Sequence, residues 1–135
     1  MSTMSKRLNS LKLLLTIGIG GMIGASSRYG ISIGVVNATS FPMETLLANL
    51  IGCFILSFLL HYASIKKKLS KEVFTGLTTG ILGSFTTFST FAVETVTLGH
   101  QSITLAILYV FISVVGGVLL CLLGYHLAIR KQEHI

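Results

Sequence analysis

From Gly76 to Phe91 the chain reads GLTTGILGSFTTFSTF, a run of hydroxyls, phenyl rings and glycines inside an otherwise apolar stretch. On a helical wheel at about 100° per residue, Phe85, Phe88 and Phe91 fall on one side, and Thr86, Thr87, Ser89 and Thr90 on the other. With Asn49, Tyr109 and Ser113 these hydroxyls form a set of uncharged hydrogen-bond donors. A bare anion loses on the order of tens of kcal/mol of solvation in an apolar medium, so a path for it must supply substitute donors along its length. Hydroxyls and amides do so without trapping the ion as a buried lysine would, and the electropositive edge of a phenyl ring adds to them. Gly76, Gly80 and Gly83 precede the run at helical spacing and predict a helix break, whose freed backbone carbonyls would suit a cation. Catalysis has no comparable set. The acids are Glu44, Glu72, Glu94 and Glu133, none paired at useful spacing, and no nucleophile has a base close in sequence, so an enzyme is not expected.

Such donors need an apolar surround, and the composition provides one. Of 135 residues, 52% are apolar and 10% charged, with mean hydropathy +0.85. Four charge-free stretches, between Lys12 and Arg28, Glu44 and Lys66, Glu72 and Glu94, and Glu94 and Arg130, are each long enough to supply most or all of a membrane-crossing helix. The predicted architecture is all-α, a single domain over residues 1–135 with spans at about 11–31, 42–62, 73–98 and 103–127. Lys6, Arg7 and Lys12 ahead of Leu13-Leu14-Leu15, with Ala25-Ser26-Ser27 beyond, mimic a signal peptide, but cleavage would still leave three spans, so the segment reads as the first span. In it Gly20 and Gly24 form a GxxxG step that allows close backbone approach. Arg28 at its far end either snorkels to the headgroups or lines a wet cavity. A short polar connection from Gly34 leads to Pro42, placed for the first turn of the second span. Asn49 lies near the middle of that span, where an amide must find partners: interhelical glue is one reading, a functional donor the other. Cys53 and Cys121 stand alone in apolar segments and read as small packing residues. His100 and His126 sit near span ends, an interfacial placement.

The net charge of +6 is a topology signal rather than a sign of nucleic-acid binding. Nine cations lie in the N-terminal tail (Lys6, Arg7, Lys12), the middle loop (Lys66, Lys67, Lys68, Lys71) and the C-terminal tail (Arg130, Lys131), against Arg28 alone on the other side. Both termini are therefore expected in the cytoplasm of a multi-pass cell-membrane protein.

Three runs resemble the Fluc/CrcB fluoride channels over nearly the whole chain: Gly20 to Tyr29 (GGMIGASSRY), Thr45 to Asn49 (TLLAN) with Gly52, and Gly80 to Phe91 (GILGSFTTFSTF). The third is highly specific, while the first alone would be weak. The resemblance implies a dimer of two four-span subunits inserted in opposite orientations, with two fluoride pores, a central structural sodium ion and passive export of fluoride that lowers its intracellular toxicity. It puts Asn49 and Arg28 at the pore mouth, makes Phe88 and Phe91 the pore phenylalanines, and sets Thr90, Tyr109 and Ser113 beside them as a polar track. It also matches Gly83 and Thr86 to positions whose backbone carbonyls coordinate sodium. Two positions depart from the family pattern, Glu44 and Ser84, where glycine is usual. The bias of nine cations to one should fix a single orientation, so the expected partner is an oppositely oriented paralogue, with a second copy of this chain as the alternative. Two other readings compete. A small four-span multidrug transporter would need a membrane-embedded carboxylate, for which Glu94 is the only candidate; a non-conducting scaffold would use the glycines and hydroxyls for packing alone.

Overall fold

A computed structural model describes residues 3–35 and 41–133, all helical apart from short connections. The connection expected between the first two spans lies largely in 36–40, outside the described residues. Helix α1 runs Thr3–Gly34, α2 Met43–His61, α3 Ala63–Lys68 and α4 Lys71–Thr75. A π-helical segment, Gly76–Leu82, continues α4 and leads through α5, Gly83–Phe85, to α6, Phe88–Gln101; α7, Ile103–Glu133, closes the chain. Four stretches are long and apolar enough to cross a membrane: Arg7–Gly34, Met43–His61, Lys71–Gln101 and Ile103–Lys131. Helix α1 and α7 thus continue past the expected span limits, since polar and charged residues beyond the hydrocarbon remain good helix formers. Pro42 lies one place before α2 rather than inside it, and its carbonyl accepts from the Leu46 N–H at 3.2 Å.

Two packed pairs hold the bundle. Helix α1 crosses the first half of the third span backbone to backbone. A Cβ at Gly20 would strike the Gly76 carbonyl, and one at Gly24 the Ile81 carbonyl, while a Cβ at Gly76 or Gly80 would crowd the carbonyl of Thr16 or Ile17. Only glycine on both helices permits this approach. The π-helical segment is the stretch pressed against α1. Helices α2 and α7 form the second pair. Leu50 lies over Gly116, Cys53 over Gly117 and the Phe54 carbonyl over Gly124, and the Ser57 hydroxyl donates to the Cys121 carbonyl at 2.7 Å. The outer faces of α1 and α7 expose Leu14, Met22, Ile107, Val118 and other large apolar side chains, as a surface bathed in hydrocarbon requires.

The third span breaks at Thr86 (φ −87°, ψ 159°) and Thr87 (φ −150°, ψ 126°), both extended. A single helical wheel across residues 85–91 therefore does not hold. Phe85 ends α5 and is buried, whereas Phe88 opens α6 and is 80% exposed. The expected three-ring stripe is a pair, Phe88 and Phe91, whose centroids stand 6.0 Å apart.

Candidate functional site

The break is held from α2. Asn49 Nδ2 donates to the Thr87 carbonyl at 2.9 Å, and Asn49 Oδ1 accepts from the Thr87 N–H at 2.8 Å. One amide thus satisfies both backbone groups of a residue that has left its helix. One turn along α2, Gly52 leaves room for the Thr86 methyl. The Thr87 hydroxyl caps α6 by accepting from the Thr90 N–H at 3.2 Å, and donates to the Thr90 hydroxyl at 3.1 Å.

These bonds leave two carbonyls without their helical donors. In an unbroken helix the Thr87 N–H would close on the Gly83 carbonyl and the Thr90 N–H on the Thr86 carbonyl. The first instead goes to Asn49 and the second to the Thr87 side chain.

Arg28, at the far end of α1, reaches the other side of the same break. One guanidinium nitrogen donates to the Thr90 hydroxyl at 3.0 Å. Thr90 is the acceptor for both Arg28 and Thr87, so neither bond uses its own hydroxyl proton. Deeper in, Phe91 stacks at a tilt on Tyr109 with centroids 5.2 Å apart, and Phe41 meets Tyr109 edge-on at 5.5 Å. Tyr109 is fully buried and its hydroxyl donates to Glu94 Oε2 at 2.7 Å. Buried Thr45 donates to the other carboxylate oxygen at 2.8 Å. Glu94 therefore ties α2, α6 and α7 together directly below Phe91.

Two cavities flank the break. The first, about 420 Å³, is lined by Asn49, Gly83, Thr86, Phe88, Phe91 and Ser113 among others. Ser113 brings a buried hydroxyl oxygen with no hydrogen-bond partner. The second, about 380 Å³, is lined by Ala25, Arg28, Tyr29, Ser32, Glu44 and Ser84. Of the residues predicted from sequence, Asn49, Phe88, Phe91 and Ser113 thus share a cavity with Gly83 and Thr86. Arg28 lines the neighbouring cavity and is joined to the break through Thr90. Tyr109 lies apart: it touches Phe91 with its ring, but its hydroxyl is occupied by Glu94. Thr45 and Glu94 were not singled out for the site, although a lone carboxylate within a span is itself a signal of a polar interior.

Fold and site together define a multi-pass helical membrane protein with a broken third span flanked by two cavities. The profile of the family described as "CrcB-like protein, Camphor Resistance (CrcB)" matches residues 15–125. The chain belongs to this family. It is 48% identical over 130 residues to the Bacillus cereus protein named "Fluoride-specific ion channel FluC 1", covering 94% of this chain and 90% of the relative. Proteins of the same name from a second Bacillus cereus strain and from Bacillus thuringiensis are each 46% identical over 118 residues, covering 85% of this chain and 86% of the relative.

Proposed function

We propose that this chain is a subunit of a fluoride-selective channel that lets fluoride leave the cell passively; it is not an enzyme. The observation that carries the reading is the shared cavity of Asn49, Phe88, Phe91 and Ser113, in a chain whose relatives are named fluoride-specific channels. An anion there would meet the rings of Phe88 and Phe91, the Asn49 amide and the Ser113 hydroxyl, with no charged side chain among the described residues of the cavity wall to trap it. Thr90 has a proton left to offer, and Arg28 draws anions toward it. Asn49 acts by holding the Thr87 backbone in place, and Tyr109 by supporting Phe91 from beneath.

The test is fluoride efflux from liposomes holding the purified chain together with an oppositely oriented paralogue, followed with a fluoride electrode after the membrane potential is clamped. Rapid efflux is expected from the wild type. Phe88→Ala removes a ring that is 80% exposed and supports no core, so it should abolish efflux and leave the folded protein intact. Equal efflux from wild type and Phe88→Ala would sink the pathway.

The chain works in this reading beside an oppositely inserted subunit, an unlike paralogue. Exposed Phe88 and Gly83 leave the break open on one side, and nine cations against one favour a single orientation with both termini cytoplasmic. Robust efflux from the chain alone, with termini labelled from both faces of the liposome, would instead make it a homodimer. Sodium fits the carbonyls of Gly83 and Thr86, whose helical donors are diverted to Asn49 and Thr87. Among the described residues no three His, Cys, Asp or Glu side chains gather, so carbonyl oxygens are the natural donors for an alkali ion. Bound there, the ion would supply a fixed positive charge at the subunit junction. Replacing sodium with a large organic cation should lower the thermal stability of the assembly as well as its efflux.

A further inference from the structure

The two positions that depart from the family pattern come together in space. Glu44, in the first turn of α2, and Ser84, on α5, line the same 380 Å³ cavity as Arg28. Arg28 is oriented by its bond to Thr90, so its charge faces the break on one side and this cavity on the other. Any anion that reaches Thr90 by this route crosses a space containing one fixed positive and one fixed negative charge. Among the described residues Tyr29 is the only other titratable side chain on the cavity wall.

We propose that Glu44 is the residue that sets how strongly this mouth collects anions, by offsetting the charge of Arg28. The proposal rests on the channel reading above and assigns a rate-determining role within it. With both charges present, the cavity is close to electroneutral and anions are only weakly concentrated in it. Without the carboxylate the Arg28 field would act alone in a cavity with low-dielectric walls, which focus it. A unit charge some 6 Å from the path in near-aqueous dielectric changes local anion concentration by about threefold. The same effect should collapse at 1 M salt, where the screening length is only about 3 Å. If Glu44 served only to complement the dipole of α2, its charge would not be felt in the cavity and its removal would leave the cavity potential unchanged.

The experiment reads potential and flux separately. In a Cys53→Ala/Cys121→Ala background, Ser32→Cys places a thiol on the cavity wall, and Ser84→Cys provides a second reporter should the first misfold. The ratio of its modification rates by anionic and cationic methanethiosulfonates reports the local potential. Glu44→Gln is expected to raise the anionic-to-cationic ratio severalfold and initial fluoride efflux about threefold, both effects vanishing at 1 M of an inert salt. Glu44→Asp, which keeps the charge, should leave both near wild type. An unchanged ratio in Glu44→Gln would overturn the proposal, as would a change that Glu44→Asp reproduces. A shifted ratio with no fluoride efflux from the wild-type chain reconstituted with its paralogue would sink the channel reading while upholding Glu44 as the residue that controls the potential of this cavity.

Discussion

Two spans of nearly equal length, Lys71–Gln101 and Ile103–Lys131, meet the backbone's demand for hydrogen bonds in different ways. The fourth is one continuous helix whose most apolar 18 residues have a mean hydropathy of 2.7, whereas those of the third reach only 1.2 and the span passes through a π segment and an extended break. Helix α7 runs without a break and meets α2 along a seam of small residues, with the Ser57 hydroxyl bonded to the Cys121 carbonyl. The third span sends its backbone groups outward: to Asn49 at Thr87, and to nothing within its own helix at the Gly83 and Thr86 carbonyls. A span that carries polar chemistry at membrane depth therefore depends on its neighbours, while a span that only packs does not.

The largest expected effect breaks the support of the irregular span. Gly24→Leu drives a side chain into the Ile81 carbonyl and should remove the monodisperse folded species in size-exclusion chromatography. Gly18→Leu, on the same helix with open space around it, should leave that species intact. Next, Asn49→Leu strands the Thr87 N–H and removes one donor from the Thr87 carbonyl. It is expected to cost about 2–5 kcal/mol in reversible unfolding, and to lower fluoride efflux by at least tenfold. Tyr109→Phe removes one of the two hydroxyl donors to Glu94 and should cost about 1–2 kcal/mol by the same measurement. The smallest effect belongs to the regular span: Ser57→Ala removes the bond to the Cys121 carbonyl and should cost only about 0.6 kcal/mol. If Ser57→Ala proved as damaging as Asn49→Leu, the contrast between the spans would fail.

Much of the third span's character was legible before its structure. Glycines at helical spacing followed by consecutive hydroxyls signalled a break, and that signal is local. The wheel that grouped Phe85 with Phe88 and Phe91 was not reliable, because it assumed one helical phase across residues that turn out to be extended at Thr86 and Thr87. Glu94 was weighed only as a transporter's carboxylate. Its partners, Thr45 and Tyr109, are 49 and 15 residues away, and no periodicity links them. The Tyr109 hydroxyl, expected beside the phenylalanines as part of a polar track, bonds Glu94 instead.

The amino-acid order alone fixed the four spans and the hydroxyl-rich character of the third, since transfer of an apolar segment into hydrocarbon is close to a sum over its own residues. Where the third span breaks, and which carbonyls it releases, depended on tertiary structure: the Asn49 amide that captures Thr87 arrives from 38 residues away, and Arg28 meets Thr90 across 62. A freed backbone group in an apolar medium is tolerable only when a partner is already in place, and a partner's position is a property of packing.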